Sequence, residues 1–246
     1  MYDTLGIVQV RHETRPESVV RKLAGKSLLE WVVRRATDCQ RLDQLVVLLG
    51  SGEADQAFVR LVPPDVPVFV SEHLDALGRF ADVIDAYPAR SVVRICADNP
   101  FVDPVLIDRL TTAADRGGPW DYVGYCASDG VPAIASPLGV YAEWCRTTAL
   151  CEAARDAVSP ADREQVTRYL YTHPEQFRNK LIPVPSQLDR EDVRLTINVE
   201  EDWEHAQVIY DALGPDELDW QRIAGLLDHQ PALRKRMAVL NRAEAR

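Results

Sequence analysis

The chain has 246 residues, of which 46% are hydrophobic and 27% are charged. Fractions of this size are typical of globular proteins and exclude a disordered chain, a collagen and a small disulfide-stapled domain. Asp and Glu together number 38 against 28 Lys and Arg, which gives a formal net charge of -10. A balance this acidic argues against nonspecific binding to nucleic acid or to an anionic membrane.

The cysteines and the hydropathy pattern indicate a cytoplasmic protein. The five cysteines form no C-x-x-C pair and are odd in number, so we expect reduced thiols. The sequence contains no run of about 18 apolar residues, the length that a membrane-spanning helix requires. The first residues also lack the basic and apolar pattern of a secretory leader.

Strand and helix patterns alternate over the first 120 residues. Short, β-branched apolar runs predict strands over residues 5–10, 45–49, 66–70 and 91–96. Helical spacing between them predicts helices over residues 28–36, 53–61, 74–86 and 104–116. An S-x-x-E capping box at Ser27 and a first-turn proline at Pro104 mark two of the helix starts. The alternation predicts an α/β fold with a mostly parallel sheet flanked by helices on both faces.

The pattern is weaker after residue 122. We expect strands over residues 122–126 and 193–197, and helices over residues 147–157, 162–171 and 200–213. The apolar Trp31, Trp144, Trp203 and Tyr210 are expected on helices, in the core. Residues 216–246 are charged and prone to helix. We therefore expect one domain over residues 1–213 and a C-terminal helical extension over residues 214–246.

A cationic loop follows the first predicted strand. Residues 11–26 carry five basic and two acidic side chains, a local charge of +3 in an acidic protein. Basic side chains at the start of a helix are suited to a phosphate group; the alternative is a solvated basic loop. The loop contains neither G-x-x-x-x-G-K-[ST] nor G-x-G-x-x-G, which excludes a P-loop and a dinucleotide fingerprint.

Asp98 directly follows the fourth predicted strand. Ligands of open parallel sheets bind at the carboxyl ends of the strands, and a carboxylate there is suited to Mg²⁺. The alternative is turn formation, because Asp-Asn-Pro is also a common turn sequence.

Five stretches carry a family pattern in order along residues 5–213. The first is Q-V-R with T-R-P and K-L-A-G-K-S-L-L-E, and the next two are L-G-R-F and V-R-I-C-A-D-N-P-F-V-D-P. The last two are D-R-E-Q-V-T-R-Y and V-R-L-T-I-N. Together they resemble the cytidylyltransferases of spore-coat polysaccharide biosynthesis, which are related to enzymes that activate sialic acid and 3-deoxy-manno-octulosonate.

The resemblance implies a fold, a reaction and a set of site residues. The fold would be the Rossmann-like sheet of nucleotide-diphospho-sugar transferases. The reaction would be transfer of CMP from CTP to a sugar or sugar acid, with Mg²⁺ as cofactor and a homodimer as the assembly. By match to the motifs, catalysis would involve Arg15, Lys26 and the metal ligand Asp98. The residues that bind the nucleotide would be Gln9, Arg11 and Arg79.

The sequence also departs from the family pattern. In place of the family's G-S-T-R-L-P-G-K loop, this chain has H-E-T-R-P-E-S, which is about two residues shorter. Residues 138–143 correspond to the family's D-G-L-D-V-E segment and contain neither of its two aspartates. Asn198 replaces a late family aspartate. One alternative is therefore a degenerate member that binds nucleotide or sugar as a partner subunit. A glycosyltransferase that uses a nucleotide sugar is another, although no D-x-D follows the fourth predicted strand.

Overall fold

A computed structural model describes residues 1–10 and 19–244. Seven of its strands form one sheet, in the order β5-β4-β1-β6-β8-β7-β9. These strands are β1 (Tyr2–Gln9), β4 (Gln44–Gly50), β5 (Val68–Ser71), β6 (Ala89–Cys96), β7 (Tyr122–Cys126), β8 (Glu143–Arg146) and β9 (Asn179–Pro183). A separate hairpin pairs β2 (Lys22–Leu23) with β3 (Lys26–Ser27).

Most neighbouring strands of the sheet are parallel. β1 lies between β4 and β6 and runs parallel to both, with Val8 beside Val47 and Ile95. β8 runs antiparallel to β6 on one side and to β7 on the other. β9 extends the sheet as a parallel neighbour of β7. The predicted α/β class and the Rossmann-like, mostly parallel sheet are confirmed.

The described residues contain ten α-helices, most of which cover the sheet. They are α1 (Leu28–Thr37), α2 (Glu53–Phe58), α3 (Ala76–Ala86), α4 (Pro104–Asp115), α5 (Thr147–Asp156), α6 (Pro160–Glu164), α7 (Arg168–Thr172), α8 (Glu200–Leu213), α9 (Trp220–Asp228) and α10 (Pro231–Glu244). None of the helices in the described part of the chain is long and apolar enough to cross a membrane.

Side-chain caps fix where the principal helices begin. The Ser27 hydroxyl accepts a hydrogen bond from the backbone N–H of Glu30 at 3.1 Å, as the capping box predicts for α1. Asp75 caps α3 through the N–H of Gly78, and Asp103 caps α4 directly before Pro104. These bonds satisfy N–H groups that have no partner within the helix.

The sheet separates two hydrophobic cores, because successive side chains of a strand point to opposite faces. On β4, Val46 and Leu48 enter one core, while Val47 and Leu49 enter the other. The first core also receives Phe80 of α3, and the second is shared with α1, α4 and the C-terminal helices. A strand that is buried on both faces is apolar throughout, which explains why these strands were predicted correctly.

Three predictions for the second half of the chain differ from the structure. Residues 193–197 form no strand, because the N–H groups of Leu195 and Ile197 donate to loop carbonyls instead of to a sheet neighbour. Trp144 lies on β8 and not on a helix, although it is buried as expected. The helix predicted over residues 162–171 is divided into α6 and α7, since Gln165 leaves the helical conformation.

The C-terminal helices pack on the body of the protein. Leu227 of α9 and Met237 of α10 are buried in the same core as Trp203 and Ile209 of α8. A domain boundary at residue 213 stays a prediction.

Three segments meet at what we call the loop junction, formed by residues 98–99, 137–141 and 195–197. The N–H of Ile197 donates to the Asp98 carbonyl at 3.0 Å, and the N–H of Leu195 donates to the Pro137 carbonyl at 2.8 Å. Gly139 has a φ of +66°, and a Cβ at this position would lie 2.6 Å from the backbone of Leu195. Glycine is needed here both for the backbone conformation and for the close approach.

A Gly139→Ala substitution tests how tightly the junction is packed. We expect the free energy of unfolding to fall by about 3 kcal/mol or more, because a left-handed alanine is strained and its Cβ meets backbone. Gly130→Ala is the matched control, since Gly130 has a φ of +82° and open space around it. The control should lose only about 1 kcal/mol in urea denaturation, and equal losses in the two variants would contradict the packing argument.

Candidate functional site

A cleft of about 1210 Å³ opens at the carboxyl ends of β1 and β6. Gln9 ends β1, Cys96 ends β6, and Asp98 follows β6; all three line the cleft. Arg79 of α3 and the loop junction form further parts of its wall. This is the edge at which open parallel sheets bind their ligands.

A buried ion pair lies at the floor of the cleft. The Arg94 Nη1 atom donates to Glu143 Oε2 at 2.6 Å, and Arg94 and Glu143 are 5% and 1% exposed. The second carboxylate oxygen accepts from the Tyr122 hydroxyl at 2.7 Å. The Thr167 hydroxyl lies 2.8 Å from both carboxylate oxygens. The network therefore joins β6, β7 and β8 to the segment between α6 and α7.

The charges of this network are fixed by their surroundings. Burial alone lowers the pKa of Arg94, but the nearby Cys96 and Glu143 raise that pKa above its ordinary value. Burial, followed by the Glu143 carboxylate, raises the pKa of Tyr122 well above the ordinary value of a tyrosine. Arg94 consequently stays cationic and Tyr122 stays a neutral hydrogen-bond donor.

Arg94 also orients Gln9. Its Nε atom donates to Gln9 Oε1 at 2.8 Å. Since a guanidinium has only donors, the carbonyl oxygen of the Gln9 side chain must be the atom that faces Arg94. The amide nitrogen is therefore the end of this cleft-lining side chain that is left for other partners.

Arg79 is held at the cleft by backbone carbonyls. Its Nε atom donates to the His73 carbonyl at 2.8 Å, and Nη2 donates to the Leu74 carbonyl at 3.2 Å. Gly50, at the end of β4, makes room for this side chain and for Asp55, because a Cβ there would lie 2.6 Å from Asp55 Oδ2 and 3.1 Å from the guanidinium carbon. The two backbone carbonyls thus fix the cation in position.

Asp98 is buried to 3% exposure where the loop begins after β6. The described residues contain no group of three or more His, Cys, Asp or Glu side chains that could hold a metal ion. Magnesium, however, is commonly bound by one or two carboxylates together with substrate phosphates and water. The neighbouring Asn99 adds a buried side-chain oxygen that has no hydrogen-bond partner. This donor set fits Mg²⁺ when a phosphate ligand supplies the remaining oxygens.

A second buried ion pair fixes the segment that follows the junction. The Arg194 Nε atom donates to Asp202 Oδ1 at 2.6 Å, and Nη1 donates to Glu244 near the end of α10. The other Asp202 oxygen accepts the N–H of Asn198 at 2.9 Å. Asn198 and Glu244 both line the cleft. The last helix therefore takes part in shaping the site.

The structure brings together three of the predicted site residues. Gln9, Arg79 and Asp98 line one cleft. Lys26 is exposed on β3, with its Nζ atom 5.0 Å from the ring centre of Trp31, and is not among the residues that line the cleft. Arg11 and Arg15 lie outside the described residues, so their predicted roles stay predictions.

Sequence reasoning missed the network around Glu143. Three residues of this network belong to stretches that resemble the family pattern. Arg94 follows Val93 in V-R-I-C-A-D-N-P, Glu143 is the last of residues 138–143, and Thr167 follows Val166 in D-R-E-Q-V-T-R-Y. The available signal was a charged or polar side chain within an apolar stretch of sequence, because a buried charge requires a partner. The sequence alone does not show that Glu143, which lies 49 positions after Arg94, contacts both Arg94 and Thr167 in space.

The network predicts a large effect for Glu143→Gln. This change leaves the buried Arg94 cation without its counter-charge, so we expect the free energy of unfolding to fall by about 3–5 kcal/mol. The matched control is Glu217→Gln, which breaks an exposed pair with Arg222 of 2.9 Å and should cost less than about 1 kcal/mol. Equilibrium urea unfolding measures both values, and a small loss for Glu143→Gln would show that the pair is not needed for folding.

Comparisons with known proteins identify the family of the chain. A family model described as Cytidylyltransferase matches residues 5–239. The spore coat polysaccharide biosynthesis protein SpsF of Bacillus subtilis (strain 168) is 30% identical over 242 residues, which cover 94% of this chain and 96% of that protein.

Solved structures show the same fold. A cytidylyltransferase from Leptospira borgpetersenii matches with a TM-score of 0.83 and 19% identity, over 95% of this chain and 97% of that one. A CMP:2-keto-3-deoxy-manno-octonic acid synthetase, solved in complex with CTP, matches with a TM-score of 0.63 and 11% identity, over 85% and 99%. The resemblance drawn from the sequence motifs is confirmed by the family match along nearly the whole chain: the protein belongs to the cytidylyltransferase family and is similar to its spore-coat polysaccharide member.

Proposed function

We propose that this protein transfers CMP from CTP to an oxygen of a sugar or sugar acid, for the synthesis of a surface polysaccharide. The observation that carries the proposal is the family match over residues 5–239. The cleft supports it, because Arg79 and Asp98 line the cleft at the carboxyl edge of the sheet. The acceptor oxygen would attack the α-phosphorus of CTP and lose its proton. The bond to the β-phosphate would break, and pyrophosphate would leave.

The reaction requires positioning and charge neutralisation more than covalent chemistry. CTP brings about four negative charges into a protein with a net charge of -10, so local cations are needed. Arg79 is already fixed at the cleft. We assign Gln9, Arg79 and Arg11 to binding the nucleotide, and Arg15 and Lys26 to neutralising its phosphates. Lys26 can act in this way only if the phosphates extend towards the β2–β3 hairpin.

Asp98 would hold Mg²⁺ in this scheme. A bound magnesium ion would neutralise phosphate charge and favour departure of pyrophosphate. Burial of Asp98 beside the cleft and the fixed backbone of the loop junction keep its carboxylate in one place. We further propose a cytoplasmic homodimer; none of the five cysteines, all of which lie in the described part of the chain, forms a disulfide.

Asn198 supports one alternative, a nucleotide-binding partner subunit without turnover. Its amide lines the cleft at the position where the family pattern has an aspartate. An amide lacks the charge of a carboxylate and is the weaker ligand for a divalent cation. Binding of CTP without release of pyrophosphate would favour this alternative.

The proposed activity is tested with CTP, Mg²⁺ and a panel of sugars. At a CTP concentration a hundred times its Kd, binding should stabilise the protein by about 2.7 kcal/mol in a thermal unfolding assay. Pyrophosphate release should stop when EDTA removes the divalent metal. Asp98→Asn should lower the rate at least a hundredfold, because it removes the proposed charged ligand.

Asp115→Asn is the matched control, since Asp115 lies at the exposed end of α4 and pairs only loosely with Arg41, at 3.5 Å. It should keep the rate of the unchanged protein. Equal rates for the Asp98 and Asp115 variants would rule out the metal role of Asp98, and a protein that CTP does not stabilise would contradict the proposed function itself.

A further inference from the structure

Residues 72–75, which we call the entry segment, lead into α3 and hold the cleft arginine Arg79. The carbonyls of His73 and Leu74 accept hydrogen bonds from Arg79 Nε and Nη2 at 2.8 and 3.2 Å. Residues 72–74 are exposed, and Leu74 has 90% of its surface open to solvent. Core packing therefore does not fix the two carbonyls, and their position depends on polar contacts.

Arg163 of α6 contacts the entry segment from a distant part of the chain. Its Nη2 atom lies 2.9 Å from Asp75 Oδ1. Its Nη1 atom donates to the carbonyls of Ala154 and Ala157, where α5 ends, at 3.0 and 3.1 Å. Carbonyls at the end of a helix have no donor in a following turn. One planar guanidinium thus connects the end of α5 to the segment that holds Arg79.

The α5 end of this connection is fixed by packing. Leu150 and Ala153 of α5 are 1% and 0% exposed and lie in the same core as Phe80 of α3. Side chains in a close-packed core have little room to move. The helix is therefore a fixed reference against which Arg163 can hold the exposed entry segment.

Asp75 has two partners that keep its carboxylate ionised. Its Oδ1 atom accepts the N–H of Gly78, as the cap of α3, and also pairs with Arg163. Burial raises the pKa of Asp75, but the Gly78 N–H and the Arg163 guanidinium lower it by more, so the pKa lies below its ordinary value. The carboxylate is therefore negative at neutral pH.

The position of Asp75 makes it a competitor for Arg79. The two residues are four positions apart, a spacing at which an acidic and a basic side chain of one helix turn can pair. Such a pair would neutralise Arg79 and draw it away from the carbonyls of the entry segment. In the structure, the Asp75 carboxylate contacts Arg163 instead.

We propose that Arg163 is a positioning residue for the binding of CTP and that it acts through Arg79. It holds the entry segment against α5 and engages the Asp75 carboxylate, so that Arg79 keeps its place and its charge for the phosphates. Arg163 is not among the residues that line the cleft, so its effect on the nucleotide is indirect. The inference rests on the proposed function, in which Arg79 binds the nucleotide.

Titration calorimetry of the full chain with CTP and Mg²⁺ tests this route. Arg79→Ala should raise the Kd for CTP about tenfold or more, because a charged hydrogen-bond donor to phosphate is lost. Arg163→Ala should raise the Kd about threefold to tenfold. In the Arg79→Ala background, Arg163→Ala should change the Kd by less than about twofold, because the residue through which it acts is absent.

Asp75→Asn supplies a rescue test. Asparagine still caps a helix, but it carries no charge that would pair with Arg79. Added to Arg163→Ala, it should lower the Kd for CTP at least about twofold relative to Arg163→Ala alone. A role of Arg163 in stability alone predicts no such recovery.

Arg146→Ala is the matched control. Arg146 also donates to a backbone carbonyl, that of Trp120, at 3.0 and 2.7 Å, and lies 3.5 Å from the carboxylate of Asp121. Its side chain is 34% exposed against 27% for Arg163, and it is not among the residues that line the cleft. This variant should lower the Tm by an amount similar to Arg163→Ala and leave the Kd for CTP within about twofold.

A second variant is used if Arg163→Ala is not folded at the assay temperature. Arg163→Lys keeps the charge but lacks the planar fork that contacts all three acceptors. It should raise the Kd for CTP at least about twofold when Arg79 is present and leave it unchanged in the Arg79→Ala background.

Three results would overturn the inference and leave the proposed function in place. The first is a Kd for CTP that Arg79→Ala raises and the Arg163 variants do not. The second is an Arg163 effect that persists in full without Arg79, or that Asp75→Asn does not relieve. The third is an equal rise of the Kd in Arg146→Ala. An unchanged protein that binds no CTP would contradict the proposed function and this inference together.

Discussion

The buried pair of Arg94 and Glu143 is the constraint on which the cleft depends. Each charge alone would be strongly unfavourable in the apolar interior, and each is tolerated because the other is 2.6 Å away and further donors surround the carboxylate. The pair joins β6 to β8 across the point where the sheet changes from parallel to antiparallel pairing. The strand order is thereby fixed at the place where the cleft opens.

The same pair also sets the charge at the floor of the cleft. Since Glu143 compensates Arg94, the floor carries little net charge and presents the amide of Gln9. Elsewhere in the described wall, Arg79, Arg190 and Arg242 occur together with acidic side chains such as Asp129 and Asp189.

The first half of the fold could be predicted from the sequence, and the second half only in part. Strands such as β4 are buried on both faces and therefore apolar throughout, and caps such as Ser27 mark helix starts locally. β8 escaped prediction because its four residues include charged Glu143 and Arg146 at the ends, and only the fold pairs Glu143 with Arg94. The position of Asp98 at the cleft could be predicted because a carboxylate after a buried strand is a local signal. The loop junction is built from three distant segments, and no local pattern shows that they meet.

The contact between Glu244 and Arg194 ties the far end of the described chain to the segment beside the cleft. Arg194 lies two residues before Thr196 in the chain and is itself buried. A relative with a shorter last helix would keep the pair between this guanidinium and Asp202, and would need another acceptor only for the Nη1 atom. The last helix therefore contributes a hydrogen-bond acceptor to the loop at residues 194–198, and a graft that moves the loop without this helix would lose that contact.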